Sequence, residues 1–254
     1  MPTPEPWTST PFEFMKYFLV FTMFATLVSG QNAETTEAFC NSLRQPPVTP
    51  AWAILEGKAE FRPKGEKTQR EAISLRIHMT PAMLRAQLLF GDDERYLVQQ
   101  VFADGLEGGS VITEEKPGEG ALSLAAVGLR ANDLMLSFLY WDLVGELPSE
   151  KIGGTACRVL QLKHENEVAH VWGSVEHRFP LQVHWYDAGR KDPKRTLRFT
   201  DFEALDEKRF WVVKSMTIRG LNWKTRVTFG ESRGMAITPS DPIPDSLFAG
   251  GYHD

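Results

Sequence analysis

The sequence predicts a mainly β protein of the α+β type: one highly curved antiparallel sheet or open barrel with few helices. Three observations carry this. From residue 51 onward, apolar residues recur at every second position through several consecutive segments, the period of a half-buried strand. The connections between those segments are short and polar, as in a meander of antiparallel strands. Only two stretches, one near the N-terminus and one around residue 135, place apolar residues at helical spacing. The 254 residues are 42% hydrophobic and 24% charged, enough for one domain to bury a full core. A formal net charge of −5 without a basic stripe argues against a nucleic-acid partner.

The N-terminal 30 residues read as an export signal outside the fold. Lys16 precedes the short apolar run "YFLVFTMFATLVSG", and Val28-Ser29-Gly30 offers a small-residue cleavage site before Gln31. The run is shorter than the roughly 20 residues that span a bilayer. Residues 1–14 carry two acids and no base, which is wrong for the start of a signal, so Met15 reads as the true start. Residues 31–232 then form a single domain, and 233–254 ("ITPSDPIPDSLFAGGYHD" at its end) an irregular Pro/Gly-rich tail.

Residues 31–45 predict a short amphipathic helix with Phe39 and Leu43 on one face, stopped by "PPVTP". In "AWAILEGKAEF" the residues Ala53, Leu55, Gly57, Ala59 and Phe61 share one strand face. Ile73, Leu75, Ile77 and Met79 share another, as do Leu84, Ala86, Leu88 and Phe90. Residues 104–130, rich in Gly, Glu and Ala, hold a short strand at 110–113 and then a loop. "RANDLMLSFLYWDLVG" predicts a helix of about ten residues, with Asn132 or Asp133 as N-cap and Leu134, Phe138 and Trp141 on its apolar face. Gly145 and Pro148 are expected to end it. Six further strands follow, with turns at Asp187-Ala-Gly189, Asp206-Glu-Lys and Gly220-Leu-Asn222. The count is about ten strands, an N-terminal helix and one internal helix near the mouth of the sheet.

Chemistry is sparse. Four of the six histidines, His164, His170, His177 and His184, fall within residues 164–191. "HENEV" begins like the zinc motif H-E-x-x-H but has Val168 where the second histidine must stand. If "EVAHVWGSV" and "LQVHWYDA" pair as a hairpin, His170 and His184 share a face. A polar strand face is the plain reading of that arrangement, and a zinc site the sharper one. There is no nucleophile elbow and no phosphate-binding glycine loop between a strand and a helix. The only cysteines are Cys40 and Cys157. An oxidising compartment permits a bridge, which would close a loop of roughly a hundred residues and contribute about 4 to 5 kcal/mol. Two independent buried thiols are the other reading.

Surplus apolar surface is the remaining feature. A curved sheet closed by an apolar helix either packs solid or leaves an apolar cavity. Leu55, Phe61, Leu75, Ile77, Leu88, Phe90, Leu134, Phe138, Trp141 and Met216 are the candidate lining residues of such a cavity. Large, adaptable side chains of this kind suit varied apolar ligands.

The order of these segments resembles a known family. "LEGKAEFR" leads into a meander, then come "NDLMLSFLYWDLVG", "IGGTACRVLQLKH", "AHVWGSVEHRFPLQVHWYDAGRK", "KRTLRFTDFEAL", "FWVVKSMTIRG" and "WKTRVTFG". Together they look like the LolA-like outer-membrane lipoprotein-sorting proteins, over about residues 50–230. The resemblance implies an incomplete, strongly curved antiparallel barrel of about eleven strands with helices capping its concave side. It further implies a non-enzymatic periplasmic carrier or chaperone. Such a carrier shields acyl chains of lipoproteins or other lipids in an apolar cavity, for transfer to the outer membrane, with membrane-associated donor or acceptor proteins as partners. No cofactor follows from it. The best-known carriers of that family hold their lid shut with an arginine. No local motif maps it onto this chain, so no residue is carried over. A periplasmic sensor or interaction module of the same fold is the alternative, and a metallohydrolase built on His170, His177 or His184 is the third reading.

Overall fold

Alternating strands dominate the observed architecture. The computed structural model describes residues 34–45, 48–92, 94–102, 110–115, 122–207, 210–238 and 240–248, with the backbone alone for 110–115. The predicted signal (1–30) and most of the Gly/Glu-rich stretch at 104–121 lie outside the described residues. The strands are β1 (Ala51–Pro63), β2 (Gln69–Met79), β3 (Met83–Phe90), β4 (Glu94–Val101), β5 (Ser110–Glu115) and β6 (Asp142–Ile152). They continue with β7 (Thr155–His164), β8 (Glu167–Ser174), β9 (Pro180–Asp187), β10 (Arg195–Leu205), β11 (Phe210–Gly220) and β12 (Trp223–Ala236). Among the described residues these twelve form one antiparallel sheet in the order β5-β4-β3-β2-β1-β12-β11-β10-β9-β8-β7-β6. The sheet ends on β5 and β6 and does not close, as expected of an open barrel.

One face of the sheet carries the core. The predicted alternation holds on β1, β2 and β3: Leu55, Ala59, Ile73, Leu75, Ala86, Leu88 and Phe90 are all buried in a single apolar cluster. Leu160 and Leu162, Ala169 and Val171, Val183 and Trp185, and Leu197 extend the same row onto β7, β8, β9 and β10. β1 and β12 join the two halves of the sheet through a thirteen-residue ladder with a bulge at Glu56/Gly57. Glycine is required there, because a Cβ on Gly57 would lie 2.1 Å from the Thr228 carbonyl oxygen.

Two pieces of chain cover the core face. Helix α1 (Thr36–Arg44) starts where the Thr35 hydroxyl accepts from the Ala38 N–H at 3.1 Å, with Glu37 in its first turn and Arg44 in its last. Its Phe39, Cys40 and Leu43 are buried, and Phe39 and Leu43 seat against Gly173 of β8. The guanidinium groups of Arg158 and Arg178 lie 4.6 and 5.0 Å from the Phe39 ring centre, and both pair with Glu34.

Residues 122–141 form the second cover, and here the structure corrects the expected ten-residue helix. Helix α2 spans only Ala131–Leu134. Leu136 adopts a left-handed conformation (φ 56°), a single 3-10 turn occupies Ser137–Tyr140, and Asp142 already begins β6. Arg130, not Asn132 or Asp133, is the N-cap residue, without a side-chain cap bond. Gly145 and Pro148, expected to end a helix, sit inside β6. That is the edge strand, where the ladder with β7 is irregular at Leu143/Gly145 and Leu147/Glu150. An edge strand tolerates a proline because an amide on the open side needs no partner.

The chain beyond β12 packs back on the outer face. Leu247 and Phe248 bury against Ile54, and Arg76 donates to the Ser246 and Leu247 carbonyls at 3.3 Å. Among the described residues, no helix is long and apolar enough to cross a membrane.

Candidate functional site

The cover formed by residues 122–141 is apolar toward the sheet and fixed to it by polar contacts. Leu124, Val127, Leu129, Leu134, Met135, Phe138 and Leu139 enter the core cluster. The buried Glu94 carboxylate accepts from the Leu124 N–H at 2.7 Å. The buried Thr225 hydroxyl donates to the Val127 carbonyl. Arg44 donates to the Leu139 and Trp141 carbonyls at 2.6 and 2.8 Å, and the Tyr140 hydroxyl donates to the Arg44 carbonyl at 2.9 Å. Burial pushes the Tyr140 phenol up to about 12. Arg130 reaches Glu167 at the surface, 3.1 Å away.

A further buried anchor is ionic. Asp133 of α2 and Arg195 of β10 are 3% and 6% exposed and pair through both guanidinium ends, one of them at 2.9 Å. The Arg195 guanidinium lies 4.1 Å from the ring centre of Trp185, its cross-strand neighbour on β9. Trp185 in turn meets Phe138 of the cover edge-to-face at 5.5 Å. Sequence reasoning missed Arg44, Asp133 and Arg195 as anchors. An arginine at the start of a strand gives no local sign of a carboxylate 62 positions earlier.

All ten residues expected to line a cavity meet in the same cluster. Leu55, Leu75, Leu88, Phe90, Leu134, Phe138 and Met216 are buried in it, while Phe61, Ile77 and Trp141 pack against its margin. The sheet supplies seven of them and the cover Leu134, Phe138 and Trp141, so they form the two surfaces of one closed apolar interface.

An apolar cleft lies elsewhere, where the sheet splits. β9 and β10 pair only over Gln182–Trp185 and Arg195–Arg198. The ladder between β10 and β11 then shifts register at Phe199/Asp201 and Asp201/Phe202. β11 pairs with β12 only over Ser215–Arg219. The end of the β10–β11 hairpin therefore leaves both neighbouring ladders, and meets the end of β12 again where Asp206 accepts from the Ala236 N–H at 2.9 Å. A cleft of about 410 Å³, open to solvent, lies beside it, lined by His177, Phe179, Leu181, Phe202, Trp211, Val212 and Val213. Only about 40 Å³ of it admits the centre of a water-sized sphere. That holds a few water-sized groups, since one needs about 10–15 Å³. None of the ten predicted residues lines it.

The histidines are distributed on both sides of this geometry. His170 and His184 are direct register partners on β8 and β9, in a row with Gln161 and Thr196 on the outer face of the sheet. His170 lies tilted against Tyr186 (4.4 Å between ring centres) and His184 tilted against Trp172 (4.5 Å), whose indole N–H donates to Glu150 at 3.0 Å. Burial lowers both imidazoles, and His170 adds to the effect on His184. His164 stacks on Trp141 and His177 lines the cleft, so neither joins the pair. Among the described residues, no three His, Cys, Asp or Glu side chains gather closely enough to hold a metal ion.

Cys40 and Cys157 are free, buried thiols, Cys40 in the main core and Cys157 in a separate outer cluster with Val159, Trp172 and Leu181. Their two clusters lie on opposite faces of the sheet. Burial raises both thiols.

No protein-family model matches the sequence, and no curated protein matches it. Solved structures do match the fold. A DUF1329 family protein from Desulfovibrio piger superposes with a TM-score of 0.55 at 14% identity, over 86% of this chain and 98% of that one. A domain assigned to outer membrane lipoprotein-sorting proteins, from Vibrio parahaemolyticus, superposes with a TM-score of 0.54 at 14% identity, over 82% of this chain and 92% of that one. The likeness shows a LolA-like fold: a mainly β, open antiparallel sheet whose core face is covered by short helical segments.

Proposed function

We propose that the protein is a non-enzymatic periplasmic carrier. It shelters acyl chains of lipoproteins or other lipids between its sheet and the 122–141 cover, for transfer to the outer membrane between membrane-associated donor and acceptor proteins. One observation carries the reading. The core face of an unclosed sheet is roofed by α1 and the 122–141 segment, and that segment is held, beside its apolar side chains, by hydrogen bonds and ion pairs, contacts that water or a head group can replace. In the closed state Leu134, Phe138 and Trp141 occupy the place of the cargo. Lifting the cover exposes Leu55, Phe61, Leu75, Ile77, Leu88, Phe90 and Met216 to an acyl chain. Each methylene sequestered there is worth about 0.8 kcal/mol, so shielding needs a dry surface and no reacting group.

The cleft beside the β10–β11 hairpin suits the tip of one chain. Its lining is apolar apart from His177, and its free space is far short of a whole chain. The fold likeness and the predicted export signal agree with this assignment.

Native mass spectrometry of the protein isolated from envelope membranes tests the reading. Bound acyl species that leave on gentle activation are expected. A chain that takes up no lipid after incubation with envelope extract overturns the proposal. A stoichiometric protein partner surviving lipid removal would instead favour a sensor or interaction module.

A further inference from the structure

Two buried donors at the ionic anchor have no acceptor. The indole N–H of Trp185, fully buried, and the Nε–H of Arg195, 6% exposed, are both unpartnered. They belong to stacked side chains on adjacent strands. Buried polar groups are rarely left so, and each instance calls for an explanation. The remaining guanidinium edge is taken by Asp133, which sits on the cover and not on the sheet.

This division matters when the cover lifts. Asp133 leaves with α2, while Arg195 and Trp185 stay on the sheet. The guanidinium is then a cation in an apolar wall without a partner, a costly state unless an anion replaces the carboxylate. Arginine presents a planar fork that fits carboxylate and phosphate oxygens in pairs. The two unpartnered N–H groups add donors that Asp133 alone does not satisfy.

We infer that Arg195 and Trp185 form the head-group pocket of the cargo site. They take an oxyanion carried on the acyl chain, a carboxylate or a phosphate ester, in the place Asp133 holds in the closed structure. This rests on the carrier reading and names the class of cargo: anionic lipids over neutral ones. Asp133 acts as the internal competitor that closes the site when it is empty.

Fluorescence titration of the full chain tests this with a long-chain fluorescent fatty acid and its methyl ester. Wild type should bind the acid at least about tenfold more tightly than the ester, the scale of one charge-assisted pair. Arg195→Gln should abolish the preference, bringing the acid to the level of the ester in the same protein. Asp133→Asn loosens the cover that either ligand must displace and should strengthen both severalfold while keeping the preference for the acid, whereas a purely structural role for the pair predicts no preference in either protein. If Arg195→Gln fails to fold, the acid-over-ester ratio of wild type and of Asp133→Asn carries the test. Equal binding of acid and ester by wild type overturns the inference and leaves the carrier reading standing. Binding of neither overturns both. Displacement of the acid by millimolar inorganic phosphate would assign the pocket to a free anion and overturn the head-group assignment.

Discussion

At the scale of single residues, the cover is fitted to the sheet at defined points, and Gly128 is one of them. Its φ is +74°, and a Cβ there would lie 2.2 Å from the Trp223 ring. Gly128→Ala combines a left-handed backbone with a clash against an indole, and should destabilise the protein by about 1–3 kcal/mol. Thermal unfolding checks the loss, and the emission of Trp223 should shift as its ring is displaced. An unchanged melting temperature would show that the cover shifts there without cost. The residues that were legible in the sequence are those whose neighbours lie on the same strand. Leu55, Leu75 and Leu88 announce their face by alternation alone. Asp133 did not announce its role. It looked like an N-cap because capping is a local rule, whereas its partner Arg195 arrives through the fold.

At the scale of elements, the strands read well where one face is buried and poorly where neither is. β6 is an edge strand with no fully buried face, its residues alternating only between exposed and half-buried over Asp142–Leu147, so the period of two is faint in its sequence, and its Gly145 and Pro148 imitate a helix stop. The helical spacing of Leu134 and Phe138 correctly marked an apolar face, yet Leu136 turns left-handed and breaks the helix. Nor was the cleft legible. It arises from two register shifts in β10 and a short β9–β10 ladder, and composition records neither. The β10–β11 hairpin carries its own prediction. Amides of Phe210–Lys214 on the β12 side lack a strand partner, whereas Ser215–Arg219 pair on both sides. Hydrogen exchange should therefore be faster in the first group by about tenfold or more, as expected for elements of low local stability. Equal protection along the whole strand would mean that the hairpin end is as firmly held as the sheet.

The whole molecule responds to acid in two stages. His78, His170, His177 and His184 all have imidazoles lowered by burial from the ordinary value of 6.5. The folded state therefore binds fewer protons than the unfolded chain in the window below 6.5. Stability rises with pH across that window and is lost as pH falls through it. Glu60, Glu146, Glu167 and Asp187 are held below the usual carboxylate range by arginine and lysine partners. Hydrogen bonds do most of this for Glu60, Glu146 and Asp187, while in Glu167 the Lys194 and Arg130 contacts outweigh burial. Their contribution disappears only at lower pH, below the unfolded carboxylate values. Melting temperature against pH should fall along two limbs. The combined His170→Gln and His184→Gln change should flatten the first and leave the second; a first limb of unchanged slope would locate its origin elsewhere. The strand order has a further consequence, for the timing of folding. β1 lies at the centre of the sheet, and one of its two neighbours is β12, the last strand of the chain. Strands β1–β5 and β6–β12 can each zip up as a meander of local hairpins. The seam between them closes only after nearly the whole chain is available, across the longest loop in the fold, which makes it the slow step. Until then β1 presents thirteen residues of open edge, the kind of surface that pairs with other chains. A chain threaded through a membrane from its N-terminus would carry that edge unprotected for the whole passage, so β12 is the strand on whose arrival escape from aggregation depends.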